Sequence, residues 1–216
     1  MTPGKRKAPG RGESRAALIA VAGDLFARKP YDEIHISEIA EEAGVANGLL
    51  SYHFKGKRGL YLAVVAQALD EVNALFQPQE DQEEQETTRE DRLRGLVRRQ
   101  IEYRREHAHT MLALFRAGGQ DREVDELFER GRQAGAAFFL DLLGVRSAPT
   151  PTLRVAVRGL MGLLDEATFD WLAHDCDMAD SDLAEIIYSA AVAVLTTVRT
   201  AHPEIRSAID ELTATA

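Results

Sequence analysis

The fold is decided by residues 36–60, which read ISEIAEEAGVANGLLSYHFKGKRGL. We divide this stretch into a short helix at about 36–43, a turn at Gly44, a second short helix at about 46–53 and the basic start of a longer helix. Two short helices joined by a glycine-containing turn are typical of a helix-turn-helix, whose second helix can enter the major groove of DNA. The stretch therefore indicates a DNA-binding unit.

Helices are also predicted on both sides of this stretch. Apolar residues recur at spacings of three and four before it, which indicates one helix at about 13–29. Pro30 ends that helix because proline lacks the backbone donor. A longer helix is predicted at about 56–76. The head thus holds three short helices that lead into a fourth.

The rest of the chain is predicted to be helical as well. Residues 77–90, QPQEDQEEQETTRE, lack apolar periodicity and indicate a solvated loop, with an acidic interaction segment as the alternative. Further helices are predicted near 89–106, 107–117, 122–143, 151–174, 182–200 and 204–212. Strand-like alternation is absent. The predicted fold class is all-α, with a flexible basic arm at 1–12, a helix-turn-helix head at 13–60 and a larger helical body at 61–216 for ligand binding and dimerisation.

The charge distribution fits a basic head on an acidic body. The chain carries a net charge of −9, but residues 1–60 hold ten Lys/Arg and seven Asp/Glu and are therefore net +3. The remaining residues hold 16 basic and 28 acidic side chains, a net −12. Local field governs binding to a polyanion, so nucleic acid is not excluded as a partner. One cysteine excludes a disulfide framework. No apolar run approaches the roughly 18 residues of a membrane span, so we expect a soluble cytoplasmic protein.

The motif in the head resembles that of a known family. After a first helix the chain reads Ile39-Ala40-x-x-Ala43-Gly44-Val45-x-x-Gly48-x-Leu50-x-Tyr52-His53-Phe54-x-x-Lys57-x-x-Leu60. This pattern resembles the TetR family of bacterial transcriptional repressors over roughly residues 13–62, whereas beyond them only the helical layout is similar. The resemblance implies a homodimer that places the third helix of each subunit in the major groove at one half of a palindromic operator. It also implies a small-molecule effector that binds in the body and releases the DNA.

Two departures from the family pattern concern phosphate contacts. Many members carry Ser or Thr where this chain has Ala46, and Tyr where it has Ser51. Ala46 loses such a contact, and Ser51 keeps a hydroxyl with less reach.

Two residues of the third helix are candidates for contact with base edges. The amide of Asn47 can donate and accept together, which matches N6 and N7 of adenine; the alternative is contact with solvent or phosphate. Gly48 would let the backbone approach a base, or else would serve packing between the second and third helices.

Other residues of the head are candidates for phosphate contacts, which position a protein without specifying sequence. These are Ser37, Ser51, Tyr52, His53 and Lys57. Lys57 is the strongest, because a cation in the first turn of a helix is unfavourable for the helix dipole unless an anion is nearby; a solvated lysine is the alternative. Ser37 is expected to cap the second helix, to contact phosphate, or both. In the arm, Lys5, Arg6 and Lys7 are candidates for binding DNA through counterion release or minor-groove contacts. The alternative is a disordered arm that makes no contact with DNA.

The body offers candidates for a ligand pocket and a dimer face. A pocket combines apolar walls with a few polar groups, and plain core is the alternative for each aromatic residue. The pocket candidates are Tyr103, His107, Met111, Phe115, Arg116, Met161, Asp165 and Phe169. The last two long helices are apolar most of the way round, so a partner subunit is expected to cover one side. The predicted dimer contacts are Leu160, Leu164, Ile187, Val194 and Leu195.

Signals for enzymatic chemistry are weak. The chain has no Walker loop, G-x-S-x-G or H-E-x-x-H motif, and the run His174-Asp175-Cys176-Asp177 has ligand chemistry without a partner cluster. We predict no catalytic residue, no cofactor and no metal site. The predicted function is a ligand-responsive transcriptional regulator, a repressor by resemblance. The alternatives are a DNA-binding regulator controlled by a protein partner or by no ligand, and a helical small-molecule enzyme or binder whose head no longer reads DNA.

Overall fold

The computed structural model describes residues 11–77, 86–117 and 122–213. Within these ranges every regular element is an α-helix or a short 3₁₀ helix, and the predicted all-α class is confirmed. The helices also begin and end within about two residues of the predicted bounds, because proline, glycine and polar clusters end each periodic segment.

The head is built from three helices. They are α1 (Arg11–Arg28), α2 (Ile36–Glu42) and α3 (Asn47–Phe54), with a 3₁₀ turn at Tyr31–Glu33 after Pro30. Their apolar faces meet in a compact core that contains Leu18, Leu25, Ile39, Leu50 and Phe54. Helix α1 starts at Arg11, so the last two residues of the predicted flexible arm are helical. Lys5, Arg6 and Lys7 lie outside the described residues.

Helix α4 (Lys57–Ala74) belongs to both halves of the molecule. Its first turns contribute Leu60 and Val64 to the core of the head. Its later turns contribute Val65, Leu69 and Val72 to a second, larger core in the body. Helix α4 therefore packs in the cores of both the head and the body.

Within its described residues the body contains six further α-helices. They are α5 (Arg89–Glu106), α6 (Ala108–Ala117), α7 (Arg122–Leu142), α8 (Pro151–Ala173), α9 (Asp180–Val198) and α10 (Arg206–Thr213). Helix α7 packs on α4 and α8, α9 packs on α5 and α8, and α10 closes the end against α5 and α9.

Helix α9 is the one described helix that is long and apolar enough to cross a membrane by length and composition. It buries Leu183, Ile187 and Leu195 in the core of the body, as a core helix does. Length and composition alone are therefore weak evidence for a membrane span here.

The end of the predicted loop at 77–90 is anchored rather than solvated. Thr88 caps α5: its hydroxyl accepts from the Asp91 backbone N–H at 3.0 Å, and the Asp91 carboxylate accepts from the Thr88 N–H at 3.1 Å. Glu86 is buried and forms an ion pair with Arg99. The capping pattern was visible in the sequence, whereas the burial of Glu86 depends on an arginine 13 residues away. Residues 78–85 lie outside the described part.

The prediction for the dimer contacts is wrong for four of the five residues. Leu160, Leu164, Ile187 and Leu195 are at most 5% exposed because they pack inside their own subunit. Val194 is half-buried. The exposed apolar side chains of α8 and α9 are instead Val155 and Ile186, at 61% and 50% exposure. On a helix that is apolar on several sides, periodicity does not tell which stripe faces the subunit's own core.

Candidate nucleic-acid interface and body cavity

Helix α3 presents a polar face to solvent. Leu50 and Phe54 are buried against the rest of the head. Asn47, Gly48, Ser51 and Tyr52 are exposed, and Tyr52 keeps 59% of its surface accessible. The residues that were predicted to touch DNA from this helix thus share one outward surface, except His53, which is half-buried.

The turn between α2 and α3 is set by Gly44, whose φ of 66° lies in the left-handed region that favours glycine. The turn closes with the Val45 N–H donating to the Ala40 carbonyl at 2.9 Å. Ala46 then precedes α3 as its N-cap and offers no side-chain acceptor. The first N–H groups of α3 therefore lack a side-chain cap, and phosphate is a chemically suited acceptor for such groups.

Gly48 and Gly59 have different structural roles. A Cβ atom at Gly48 would meet nothing within 4 Å, so packing between α2 and α3 does not require this glycine. A Cβ atom at Gly59 would overlap the carbonyl oxygen of Phe54 and lie 3.0 Å from its carbonyl carbon. Gly59 therefore allows α4 to approach the end of α3. The sequence signal was a glycine inside the first turn of a helix, where it lowers helix propensity.

Lys57 is half-buried, and among the described residues no carboxylate pairs with it. Its ammonium donates to the carbonyls of Tyr31 and Ile34, at 2.7 and 2.9 Å, and lies 4.2 Å from the centre of the Tyr31 ring. Backbone carbonyls therefore already stabilise this cation, and its position in the first turn of a helix does not by itself require a phosphate. An ammonium has three donors, and a phosphate contact by the third stays a prediction.

Ser37 does not cap α2. The N-cap residue is His35, without a side-chain hydrogen bond, and Ser37 is the second residue of the helix. Ser37 is exposed, so a phosphate contact remains a prediction. His53 lies between the rings of Tyr52 and Phe54, and its Nε2 is buried without a hydrogen-bond partner among the described residues.

Ion pairs offset part of the positive charge of the head. Lys29 pairs with Glu38 on α2, and Arg58 pairs with Glu123 on α7. The second pair joins the head to the body at the start of α4. Both pairs are exposed, so each contributes little to stability.

The body contains an apolar cavity of about 40 Å³ between α4 and the facing helices of the body. Of the predicted pocket residues, Met111, Met161 and Asp165 line this cavity. Leu164, which was assigned to the dimer face, lines it too. The other lining side chains lie outside the predicted set; they include Asn73, Phe76, Arg104, Phe128 and Arg132.

The remaining pocket candidates do not line the cavity. Tyr103 donates its hydroxyl to Glu71 at 2.5 Å and stacks on His107 at 4.1 Å between ring centres. Burial and the bond to Glu71 raise the pKa of Tyr103. His107 is exposed and Phe169 is half-buried outside the lining. The side chains of Phe115 and Arg116 lie outside the described part of the structure.

Arg104 is the central polar group of the cavity. The residue is 4% exposed, and its guanidinium group donates to Asp165 at 3.3 Å and to Gln100. Arg132 approaches the other oxygen of Asp165 at 3.5 Å. Burial lowers the pKa of Arg104, and the charge of Asp165 opposes this effect. Arg104 follows Gln100 by four residues and Val97 by seven, so its place on the buried face of α5 was readable from periodicity.

Comparison with known proteins supports the identity of the head. Residues 18–64 match the model of the bacterial regulatory proteins of the tetR family. The chain is 38% identical over 60 residues to the transcriptional activator FasR of Mycolicibacterium smegmatis, which is 28% of this chain and 27% of that protein. It is 38% identical over 76 residues to the transcriptional regulator RutR of Escherichia coli K12, which is 32% of this chain and 35% of that protein. The matches thus span about a third or less of these relatives.

Solved structures extend the likeness to the whole fold. A tetR-family transcriptional regulator from Streptomyces coelicolor superposes with a TM-score of 0.80 at 26% identity, covering 95% of this chain and 90% of that one. FadR from Bacillus subtilis, solved in complex with stearoyl-CoA, shares the fold alone, with a TM-score of 0.64 at 16% identity, 83% of this chain and 96% of that one. The helix-turn-helix head, the all-α body and these likenesses agree: the head is that of the tetR family of bacterial regulatory proteins, and the whole chain has the fold of a solved member of that family.

Proposed function

We propose that the protein is a cytoplasmic transcriptional repressor that binds a palindromic operator as a homodimer and leaves it when a small molecule enters the body. The observation that carries this proposal is the exposed polar face of α3. Leu50 and Phe54 fix the helix to the head, which leaves Asn47, Gly48 and Tyr52 on its outer side. A rigidly held helix with an open polar face suits insertion into the major groove.

The proposed DNA contacts of the head divide into base and phosphate contacts. We assign base contact to Asn47 and a close backbone approach to Gly48, where the structure leaves open space. We assign phosphate contacts to Ser37, Ser51, Tyr52, His53 and Lys57. The uncapped first turn of α3 adds backbone donors for a phosphate.

The dimer face is proposed to lie on the outer stripes of α8 and α9. On α8, Val155 and Gly159 are exposed one turn apart. On α9, Ile186, Ala193 and Thr197 recur at spacings of seven and four and are exposed as well. Small residues such as Gly159 and Ala193 let helices approach closely, and two helices from each subunit would form an isologous four-helix contact.

Helix α4 is the proposed link between the cavity and the DNA. It begins at Lys57 in the head, and Leu69 and Val72 near its other end line the cavity. A ligand that widens the cavity would shift α4 and with it the separation of the two α3 helices in the dimer. Half-sites about one helical turn apart, roughly 34–36 Å, require a fixed separation, so a small shift removes one set of contacts.

The proposal is tested by selecting duplexes from a random library with the full-length protein and measuring affinity for the selected sequence by fluorescence anisotropy. We expect an inverted repeat and a stoichiometry of two chains per site. Binding that is equal for selected and scrambled duplexes would show that the head does not read DNA.

Control by ligand is tested on the same duplex. An effector must lower the affinity for the operator, and operator must lower the affinity for the effector by the same factor. An effector that binds equally with and without operator would contradict the allosteric part of the proposal and leave DNA binding intact.

A further inference from the structure

The cavity of the body has an excess of positive charge. Arg104 and Arg132 both point to the single carboxylate of Asp165 from the cavity wall. Glu129 forms a bidentate pair with Arg158, at 2.7 and 2.6 Å, and also lies 4.0 Å from Arg132. Three guanidinium groups, those of Arg104, Arg132 and Arg158, thus face two carboxylates, and this cluster at the cavity wall keeps one net positive charge.

Two polar atoms of the same wall have no hydrogen-bond partner among the described residues. They are the Nε of Arg104 and the Oδ1 of Asn73, and both are buried. Buried polar groups of native proteins are nearly always paired, so two unpaired groups that line one cavity point to a bound group. The Arg104 N–H requires an acceptor. The amide of Asn73 can present either its oxygen or, after rotation by 180°, its NH₂ group.

We propose, on the basis of the ligand response argued above, that the cavity takes an apolar molecule with a single carboxylate group. The carboxylate accepts from Nε of Arg104 and from the NH₂ of Asn73 and supplies the missing negative charge. The apolar part lies against Phe76, Phe128 and the two methionines of the lining.

The chemistry of Asp165 argues against a cationic ligand. Its two oxygens already face Arg104 and Arg132, at 3.3 and 3.5 Å, so an ammonium group that approached Asp165 would be repelled by two guanidinium groups. A carboxylate that approaches the unpaired Nε of Arg104 is instead attracted by the guanidinium groups.

The size of the cavity requires side chains to move when a ligand enters. A volume of about 40 Å³ accommodates only a few water molecules. Met111 and Met161 are unbranched and flexible and can change rotamer at low cost, which enlarges the cavity toward α6 and α8. Gly135 of α7, whose Cβ would overlap Met161, shows how closely this wall is packed without a ligand.

The test is calorimetric titration of the full-length protein, without DNA, with octanoate, 1-octanol and octylamine. The three compounds share one apolar chain and differ only in the head group. We expect octanoate to bind at least about tenfold more tightly than 1-octanol, because a charge-assisted bond is added, and octylamine to bind more weakly than both. Equal affinities, a preference for octylamine, or no binding of octanoate would overturn the proposal.

Variants locate the carboxylate. Arg104→Met should remove the preference for octanoate over 1-octanol. Arg104→Lys keeps the positive charge and lacks the Nε donor, so it should lower the preference for octanoate over 1-octanol several-fold. This variant replaces Arg104→Met if Arg104→Met does not fold. Arg105→Met is the matched control, because Arg105 pairs with Asp180 at the surface. A preference that survives both changes at Arg104 would contradict the assignment.

The experiments distinguish failure of the carboxylate site from failure of the proposed DNA-binding function and its ligand response. Tight octanoate binding without release of DNA would retain the cavity chemistry and contradict the ligand response. Operator binding with no affinity for octanoate would retain the DNA-binding function and contradict the carboxylate site.

Discussion

Gly59 brings the first turn of α4 so close to Phe54 that a methyl group at position 59 would overlap the Phe54 carbonyl oxygen. Phe54 is the last residue of α3, the helix whose outer face we assign to DNA. The contact therefore fixes the angle between the reading helix and the helix that leads to the body. Between them, Lys55 takes a left-handed φ of 61° and Gly56 a φ of 127° to make the tight connection.

We predict that Gly59→Ala lowers the free energy of unfolding by about 1–3 kcal/mol, because the added methyl group has no space against backbone. Gly48→Ala is the matched control. A Cβ atom there meets nothing, so helix propensity should raise the stability by up to about 1 kcal/mol, while DNA binding weakens. Urea unfolding measures both variants. Equal stability of the two variants would refute the close approach at Gly59.

Lys57→Met should cost about 1–3 kcal/mol of stability, because two backbone carbonyls lose a charged donor. Lys55→Met, which removes an exposed cation two residues earlier, should leave the stability within about 0.5 kcal/mol. Thermal or urea unfolding separates the two variants. Unchanged stability of Lys57→Met would mean that the carbonyl contacts carry no net energy.

The salt dependence of operator binding shows whether Lys57 also reaches phosphate. If its third donor does so, Lys57→Met lowers the magnitude of the slope of log affinity against log salt by about 1 per contact. An unchanged slope would leave the lysine with a purely internal role.

The head was more predictable from the sequence than the body. Its helices, its turn at Gly44 and the burial of Leu50 and Phe54 follow from local periodicity and glycine chemistry. The partners of Lys57 lie 23 and 26 residues away, so no local pattern identifies them. In the body the core, the cavity and the outer stripes all consist of apolar residues on the same helices. Only the packing of those helices separates Leu164, which lines the cavity, from Val155, which is exposed.

Asn47→Ala should relax the preference at one base pair of each half-site by roughly 1–3 kcal/mol, because a bidentate contact to a base edge is lost. Ser51→Ala is the control from the same exposed face of α3. It should weaken binding to all duplexes by a similar factor, because a phosphate contact carries no sequence information. Anisotropy against a panel of single-base operator variants distinguishes the two patterns. A uniform loss for Asn47→Ala would reassign this residue to the DNA backbone.

Two adjacent isoleucines on α9 give the sharpest test of the dimer face. Ile186 is 50% exposed and Ile187 is 4% exposed. The same substitution is therefore expected to change the oligomeric state at one position and the stability of the subunit at the other. Ile186→Arg should leave the fold of the subunit intact and convert the dimer to monomer, because the arginine would be buried without a partner in the contact. Ile187→Arg should cost more than about 4 kcal/mol and unfold the subunit, because the charge enters its own core. Light scattering gives the mass and circular dichroism gives the folded fraction. A folded dimer of unchanged mass for Ile186→Arg would exclude the outer stripe of α9 from the interface, and operator affinity should fall only when the mass falls.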